Sequence, residues 1–259
     1  MDENGDYFRI VTTINRYSTV TTQRDKTEPA TDIAIFPSQN ETGNNLYVLD
    51  SQLKIVGKIE DMAKGERVYS VRFDGNIGYF VTFRQVDPLF AADLSNPKAP
   101  KILSELKIPG FSEYLHPYAK DRLFGLGKDA DEKSGGVLGM KLSMFDVADK
   151  TKVSEKHKIV LDSRFMWSEA SYNHKAILVA PEKNLIAFPA GDKYLVFSYS
   201  ESEGFVKKAE IGLGSSEVYY YQGLRGLYIG EYLYVYSPTS ISVYSMKDFT
   251  LVSTLNLMK

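Results

Sequence analysis

The sequence of 259 residues contains no cysteine, which excludes disulfides, thiolate nucleophiles and cysteine-ligated zinc or iron–sulfur centres. Its formal charge of −2 arises from 31 basic and 33 acidic residues, and their scattered distribution leaves no basic patch for nucleic acid. No stretch approaches the ~18 consecutive apolar residues of a membrane span, and the polar residues 1–6 do not begin a signal peptide. We therefore expect no nucleic-acid partner and no membrane span in this chain.

Aromatic residues are plentiful, with 18 tyrosines and 14 phenylalanines beside a single tryptophan. Short runs rich in Val, Ile, Tyr and Phe, bounded by Gly, Pro, Asn or Asp, predict strands rather than helices. The clearest group follows Gly65 and reads RVYSVRF, IGYFVTF, PLFAADL and KILSELKI. Four strands in about 45 residues match the length of one β-propeller blade.

Similar groups recur along the chain, so we predict an all-β fold, a β-propeller of four-stranded antiparallel blades forming a single domain over residues 1–259. About five units are visible, and the first is incomplete because no strand precedes Phe8 and residues 15–44 form a polar insertion. Either residues 32–36 supply the missing strand, or the strand lies upstream in a longer parent protein. We favour the upstream strand, and we expect an upstream domain of that parent protein as a further partner. The predicted units span approximately residues 7–62, 65–109, 111–162, 170–214 and 218–258.

Three long sequence segments are similar to segments of a known family: GERVYSVRF, TFRQVDPLFAADLSNP and ELKIPGFSEYLHPY. Over about residues 44–191 the sequence resembles a family of secreted bacterial and archaeal proteins whose C-terminal β-propeller domain is distantly related to WD-type repeats. The resemblance implies a location outside the cell or at its surface. It brings no established activity and no defined catalytic residues.

Common catalytic signatures are missing from the sequence. Gly127 and Lys128 would end a phosphate-binding loop only with Gly at 122 and Ser or Thr at 129, and G-x-S-x-G and H-E-x-x-H do not occur. We therefore predict no catalytic residue. The leading hypothesis is an extracellular or cell-surface binding or scaffold domain that engages a protein or glycan at one propeller face. The alternative is a glycan hydrolase with carboxylates at the propeller channel.

One candidate ligand-binding site combines polar residues in or near the first strands of neighbouring units. Such side chains would converge at the mouth of the channel and hold an anion, a sugar or a metal. The alternative is that they tie loops to the backbone, as buried polar groups usually do. The candidates are Arg84, Asp87, His116, Glu169 and His174.

A possible calcium site lies in the loop KDADEKSGG, where alternating carboxylates resemble hard oxygen ligands. The match to an EF-hand is partial, because Ser134 and Met140 stand where Gly and Glu are needed. A solvated acidic loop is the alternative, and no other cofactor is predicted. The candidate ligands are Asp129, Asp131 and Glu132.

Two repeated features have both structural and functional interpretations. Asp50, Asp93 and Asp146 end the third strands of successive units. This placement predicts carboxylates that accept backbone N–H bonds in the turns, and the alternative is a pair of glycosidase carboxylates.

The alternation of Tyr232, Tyr234 and Tyr236 places three rings on one face of a strand. Those rings, like residues 219–221, would serve either packing or sugar stacking.

Overall fold

A computed structural model of the chain describes residues 1–14, 17–22, 32–37, 42–83, 87–213 and 223–257. For residues 17–22 and 32–37 only the backbone is described. The chain divides into two compact units, Met1–Lys107 and Ile108–Lys259.

The first unit begins with an antiparallel sheet of four strands in the order β1-β2-β5-β6. Its first strand pairs Asp2 with Arg9, so the expectation that no strand precedes Phe8 is wrong. The sequence Asp-Glu-Asn has no apolar residue to mark a strand, and the chain reverses at Gly5, whose φ is +58°, a value that suits glycine. The sheet comprises β1 (Asp2–Asn4), β2 (Tyr7–Ile14), β5 (Gly43–Leu49) and β6 (Ile55–Met62).

The predicted insertion contains a hairpin of its own. Strands β3 (Tyr17–Thr22) and β4 (Asp32–Pro37) pair with each other in a two-stranded sheet. Residues 32–36 therefore do not supply the first strand of the first sheet, which was one of the two alternatives drawn from the sequence.

The second sheet of this unit also has four antiparallel strands, and its apolar face packs on the first sheet through Leu46, Val48, Phe80 and Phe90. The buried Arg9 links the two sheets because its Nη1 donates to the Gly75 carbonyl at 2.7 Å. The strands are β7 (Arg67–Asp74), β8 (Ile77–Phe83), β9 (Asp87–Asp93) and β10 (Lys101–Ile108).

The second unit holds three more antiparallel four-stranded sheets, each running in chain order. The third sheet comprises β11 (Phe111–Ala119), β12 (Arg122–Ala130), β13 (Val137–Asp146) and β14 (Ser154–Val160). The fourth comprises β15 (Leu178–Ala180), β16 (Leu185–Ala190), β17 (Lys193–Ser200) and β18 (Gly204–Gly212). The fifth comprises β19 (Arg225–Ile229), β20 (Tyr232–Ser237), β21 (Ser240–Ser245) and β22 (Leu251–Asn256).

Alternating side chains give the fourth sheet two buried faces. Phe188 and Phe197 pack with the third sheet, whereas Ala187 and Tyr194 pack with the fifth. At the second contact the backbone of Gly226 approaches so closely that a Cβ atom there would lie 1.9 Å from the Tyr194 hydroxyl. Within the described residues, five four-stranded antiparallel sheets confirm the predicted all-β fold of the propeller type.

In each of the first three sheets, the turn after the third strand is held by the aspartate predicted from the sequence. An oxygen of Asp50 accepts from the amides of Gln52 and Lys54 at 2.9 and 3.0 Å. Asp93 and Asp146 accept in the same way from Ser95 and Ala148. In the fourth and fifth sheets a serine hydroxyl occupies the equivalent position and accepts from a following amide. The prediction that these residues fix turns is confirmed.

Candidate functional site

Glu169 lies in the loop between the third and fourth sheets, within a short 3-10 turn, Glu169–Ser171. This turn packs against β11, β12 and β16. The carboxylate is buried, with 1% of the residue exposed. It accepts from Asn173 Nδ2 at 2.6 Å and from the backbone amides of Gly223 and Leu224 at 2.9 and 3.1 Å. Glu169 therefore ties its loop to the segment that enters the fifth sheet.

The other residues of the predicted channel-mouth site lie in varied surroundings. His116 is half-buried in β11, and its Nδ1 lies 2.8 Å from the hydroxyl of Tyr114. His174 is exposed in a turn before β15. Arg84 lies outside the described residues, and so does the side chain of Asp87, whose backbone begins β9. Their convergence on one ligand stays a prediction.

The three predicted calcium ligands have different partners. Asp129 is buried at the end of β12, and its Oδ1 lies 3.5 Å from Lys158 Nζ. Asp131 accepts from the amide and hydroxyl of Ser134 at 2.8 and 2.9 Å, which lowers the pKa of its carboxyl. Glu132 is exposed. Across the described ranges, no three His, Asp or Glu side chains are grouped as ligands for a metal ion.

A buried lysine beside Asp129 was missed at the level of the sequence. Lys141 is 1% exposed, and its Nζ donates to the Pro109 carbonyl at 2.7 Å and lies 3.7 Å from Glu155 and 3.9 Å from Asp129. The alternation in MKLSMFDV suggests that Lys141 and Ser143 face solvent, yet both are buried. In β12, Gly127 pairs with Lys141 and Gly125 pairs with Ser143. These glycines were the available sequence signal for burial, because a long side chain needs the space beside a glycine to cross a neighbouring strand.

A second charged cluster joins the third and fourth sheets. Arg122 donates to both carboxylate oxygens of Glu201, at 2.7 and 3.0 Å, and Lys156 lies 2.5 Å from the same carboxylate. The hydrogen bonds from Arg122 and Lys156 lower the pKa of Glu201 to about 2. Burial, with the nearby Glu201 charge, raises the pKa of Tyr199 to about 12. This arrangement is a bidentate ion pair that fixes two sheets together.

The loop held by Glu169 also presents two exposed rings. Trp167 and Tyr172 are 43% and 59% exposed, and their ring centroids lie 5.9 Å apart at an interplanar angle of 40°. The ammonium of Lys128 donates to the carbonyl of Met166, directly before Trp167. We call Trp167 and Tyr172 the aromatic pair. Such rings offer stacking surface to sugars or to apolar side chains.

The sequence drew attention to other aromatic residues. The run at 219–221 lies outside the described residues. Tyr232, Tyr234 and Tyr236 do share one face of β20, as the register with β19 and β21 shows. The aromatic pair was missed because its two rings are separated by polar residues with no strand or helix periodicity. Its only sequence signal is that Trp167 is the sole tryptophan of the chain.

The fold and its turns define a protein of the β-propeller class. The chain belongs to the beta propeller domain family, whose model matches residues 1–249. This confirms the propeller part of the resemblance inferred from the sequence and extends it beyond residues 44–191.

Two curated relatives are uncharacterised archaeal proteins. One, from Archaeoglobus fulgidus, is 42% identical over 214 residues, which are 83% of this chain and 32% of that protein. The other, from Methanocaldococcus jannaschii, is 34% identical over 255 residues, 98% of this chain and 36% of that protein. The chain thus spans about a third of the length of the curated relatives it matches.

Among solved structures, the β-propeller domain of Cps50 (Swd1) from Myceliophteria thermophila is similar with a TM-score of 0.46 and 11% sequence identity. The similarity covers 85% of this chain and 71% of that chain. Within the described part of the chain, no helix has the length and apolar character needed to cross a membrane.

Proposed function

We propose that this chain is a non-enzymatic binding or scaffold domain that acts outside the cell or at its surface and contacts a glycan or protein through the aromatic pair. The supporting observation is the exposure of Trp167 and Tyr172 on a loop whose base is fixed by the buried Glu169. The location rests on the family resemblance alone.

A fixed loop favours binding for a physical reason. Ordering a mobile segment costs free energy at the moment of association, whereas a loop already held in place avoids most of that cost. Glu169 and the N-cap Ser168 hold the N-terminal end of the turn: Glu169 accepts from two backbone amides, and the Ser168 hydroxyl accepts from the amide of Ala170 at 3.0 Å. On the C-terminal side, Asn173 Nδ2 donates to Glu169 at 2.6 Å. The aromatic pair is therefore presented in one arrangement.

The hydrolase alternative has less support from the same residues. Retaining and inverting glycosidases need two carboxyl groups that face one glycosidic bond. Glu169 is occupied by backbone amides, Asp129 lies beside lysines, and Asp50, Asp93 and Asp146 fix turns. No observation on the described residues favours a hydrolytic pair, so we keep the binding function.

Fluorescence gives a direct test because Trp167 is the only tryptophan in the chain. Titration of the protein with soluble oligosaccharides of glucose, mannose and N-acetylglucosamine should shift or quench its emission. Tyr172→Ala should weaken the interaction about tenfold, since an aromatic contact contributes roughly 0.5–1.5 kcal/mol beyond its buried area. Tyr69→Ala is the matched control, with a tyrosine 43% exposed in the first unit.

A protein partner gives a different result in the same experiment. Emission would then stay constant with every oligosaccharide, and the immobilised chain would retain a protein from a cell-surface extract that Tyr172→Ala does not retain. Constant emission with the oligosaccharides together with equal retention by wild type and Tyr172→Ala contradicts the proposed site. Release of reducing ends from the oligosaccharides by the purified chain contradicts the non-enzymatic function.

A further inference from the structure

Asn4 and Gly5 lie at the turn of the hairpin that joins β1 to β2 in the first sheet. Asparagine is among the thermolabile residues of proteins, and of the asparagines in this chain Asn4 alone is followed by glycine. Gly5 is exposed, and a Cβ atom built on it would meet nothing within 4 Å. Its backbone nitrogen therefore lacks the steric shield that a larger side chain would place over it.

Polar contacts hold this hairpin to the turn between β7 and β8 of the second sheet. Asn4 Nδ2 donates to the Gly75 carbonyl at 2.9 Å and to Asn76 Oδ1 at 3.3 Å, and both bonds are exposed to solvent. The buried Arg9 donates to the same carbonyl and pairs with Asp2 of β1. Because β1 contains no apolar side chain, the hairpin opens at a small fraction of the free energy of global unfolding.

We propose that Asn4 is a site of spontaneous deamidation that weakens the contact between the first and second sheets. When the hairpin opens, the Gly5 nitrogen loses its proton and attacks Cγ of Asn4. The new C–N bond closes a five-membered succinimide, and the side-chain nitrogen takes up a proton and leaves as ammonia. Water then adds to one of the two ring carbonyls and breaks its bond to nitrogen, which gives aspartate or isoaspartate at position 4.

The product cannot make the bonds of Asn4 to the second sheet. A carboxylate has no N–H donor, and it would face the Gly75 carbonyl and Asn76 Oδ1, which are both acceptors. Isoaspartate also adds a carbon atom to the main chain where Asn4 pairs with Tyr7. The Gly75 carbonyl keeps its bond from Arg9, so the loss is confined to the hairpin and its contact with the second sheet.

Mass spectrometry of the folded full chain, incubated at 37 °C, tests the reaction. Trypsin releases residues 1–9, in which Asn4 is the one asparagine. This peptide should gain the mass of an amide-to-acid conversion and separate into two chromatographic isomers. The rate should rise about tenfold per pH unit between pH 7 and pH 9, because the attacking nitrogen must first lose its proton.

Two comparisons define the reaction. Asn76 is exposed in the facing turn but is followed by Ile77, so its tryptic peptide should keep its mass. Incubation in concentrated urea gives the rate for the unfolded chain. An Asn4 that stays intact in the folded chain while it converts in urea overturns the proposed site. Conversion of Asn76 as fast as Asn4 also overturns it, because the glycine would then have no role.

Asn4→Asp reproduces one product and isolates its effect on stability. Its urea denaturation midpoint at neutral pH should lie below that of the wild type. Asn96→Asp is the matched control, because it makes the same charge change in the turn after β9. There the side chain accepts from the Lys98 amide at 3.1 Å through an oxygen that aspartate keeps. A midpoint of Asn4→Asp equal to that of the wild type overturns the weakened contact. The proposal uses no residue of the aromatic pair and does not depend on the proposed function.

Discussion

The carboxylate of Glu169 accepts hydrogen bonds from the backbone amide of Gly223 at 2.9 and 3.1 Å, across 54 residues of chain. The bond joins the turn that precedes the fourth sheet to the segment that enters the fifth. A side chain singled out from the sequence as a ligand contact is thus bonded to backbone. Its importance lies in holding the loop that carries Trp167 and Tyr172.

Glu169→Gln should destabilise the protein by about 1–3 kcal/mol, the cost of leaving a buried group without a suitable partner. The amide keeps one acceptor oxygen but turns an NH₂ group toward either the Gly223 or the Leu224 amide, both donors. Urea denaturation of wild type and variant measures the difference. Glu231→Gln is the control, because that side chain is 78% exposed. An unchanged denaturation midpoint for Glu169→Gln would contradict the role of the carboxylate.

Gly226→Ala should also destabilise the chain, here by overpacking. The new Cβ would meet the Tyr194 hydroxyl at 1.9 Å and the ring carbon Cζ at 2.7 Å. Forcing extra atoms into a packed contact typically costs about 1–3 kcal/mol. Thermal melting provides the measurement.

Two comparisons isolate this overpacking effect. Gly212→Ala should be harmless, since a Cβ there meets nothing within 4 Å. Combining Gly226→Ala with Tyr194→Phe should cost less than the sum of the two single changes, because the closest clash is removed. Strict additivity would show that the contact does not limit stability.

Much of the fold was predictable from local patterns. Alternating and continuous apolar runs identified most strands, and Asp50, Asp93 and Asp146 marked the turns because a carboxylate two residues before an amide can accept its hydrogen bond. Strand β1 was missed since its three polar residues are held by pairing with β2 rather than by burial of apolar surface. The single-domain organisation and the length of the parent protein stay predictions.

The sites depended on tertiary placement that spacing along the chain does not reveal. Lys141 is buried because acceptors from three separate segments surround its ammonium: Pro109, Asp129 and Glu155. Trp167 and Tyr172 come together because the turn anchored by Glu169 lies between them. The sequence identified Glu169 as a residue that either binds a ligand or ties a loop to the backbone. It could not show that its partners would be the amides of Gly223 and Leu224.

Glu201 should give the protein an acid-sensitive contact between the third and fourth sheets. Its folded-state pKa of about 2 lies below the ~4.3 of an unfolded glutamate. Its contribution is therefore complete above about pH 4.3 and is lost as the pH falls toward 2. The side chain is 52% exposed, so solvent screening keeps the contribution small.

Melting temperatures between pH 7 and pH 2.5 test this pH dependence. The melting temperature of the wild type should exceed that of Glu201→Gln at neutral pH, and the difference should narrow below about pH 4.3. Glu203→Gln, at an exposed position in the same turn, should track the wild type throughout. A gap as large at pH 2.5 as at pH 7 would show that the ionised carboxylate is not its source.

Calcium should leave the stability of the chain unchanged. An ion at this loop would have to displace Lys158 from Asp129 and the Ser134 donors from Asp131. If a site with a Kd of about 10 µM existed, 1 mM Ca²⁺ would add about 2.7 kcal/mol, or roughly 5–10 °C for a chain of this size. We expect melting temperatures in 1 mM Ca²⁺ and in 1 mM EDTA to agree within about 1 °C, well below that shift. Asp131→Ala should lower both melting temperatures equally, because the turn loses its hydrogen bonds from the amide and hydroxyl of Ser134. A chelator effect that is present in the wild type and absent in Asp131→Ala would instead establish the carboxylate as a calcium ligand.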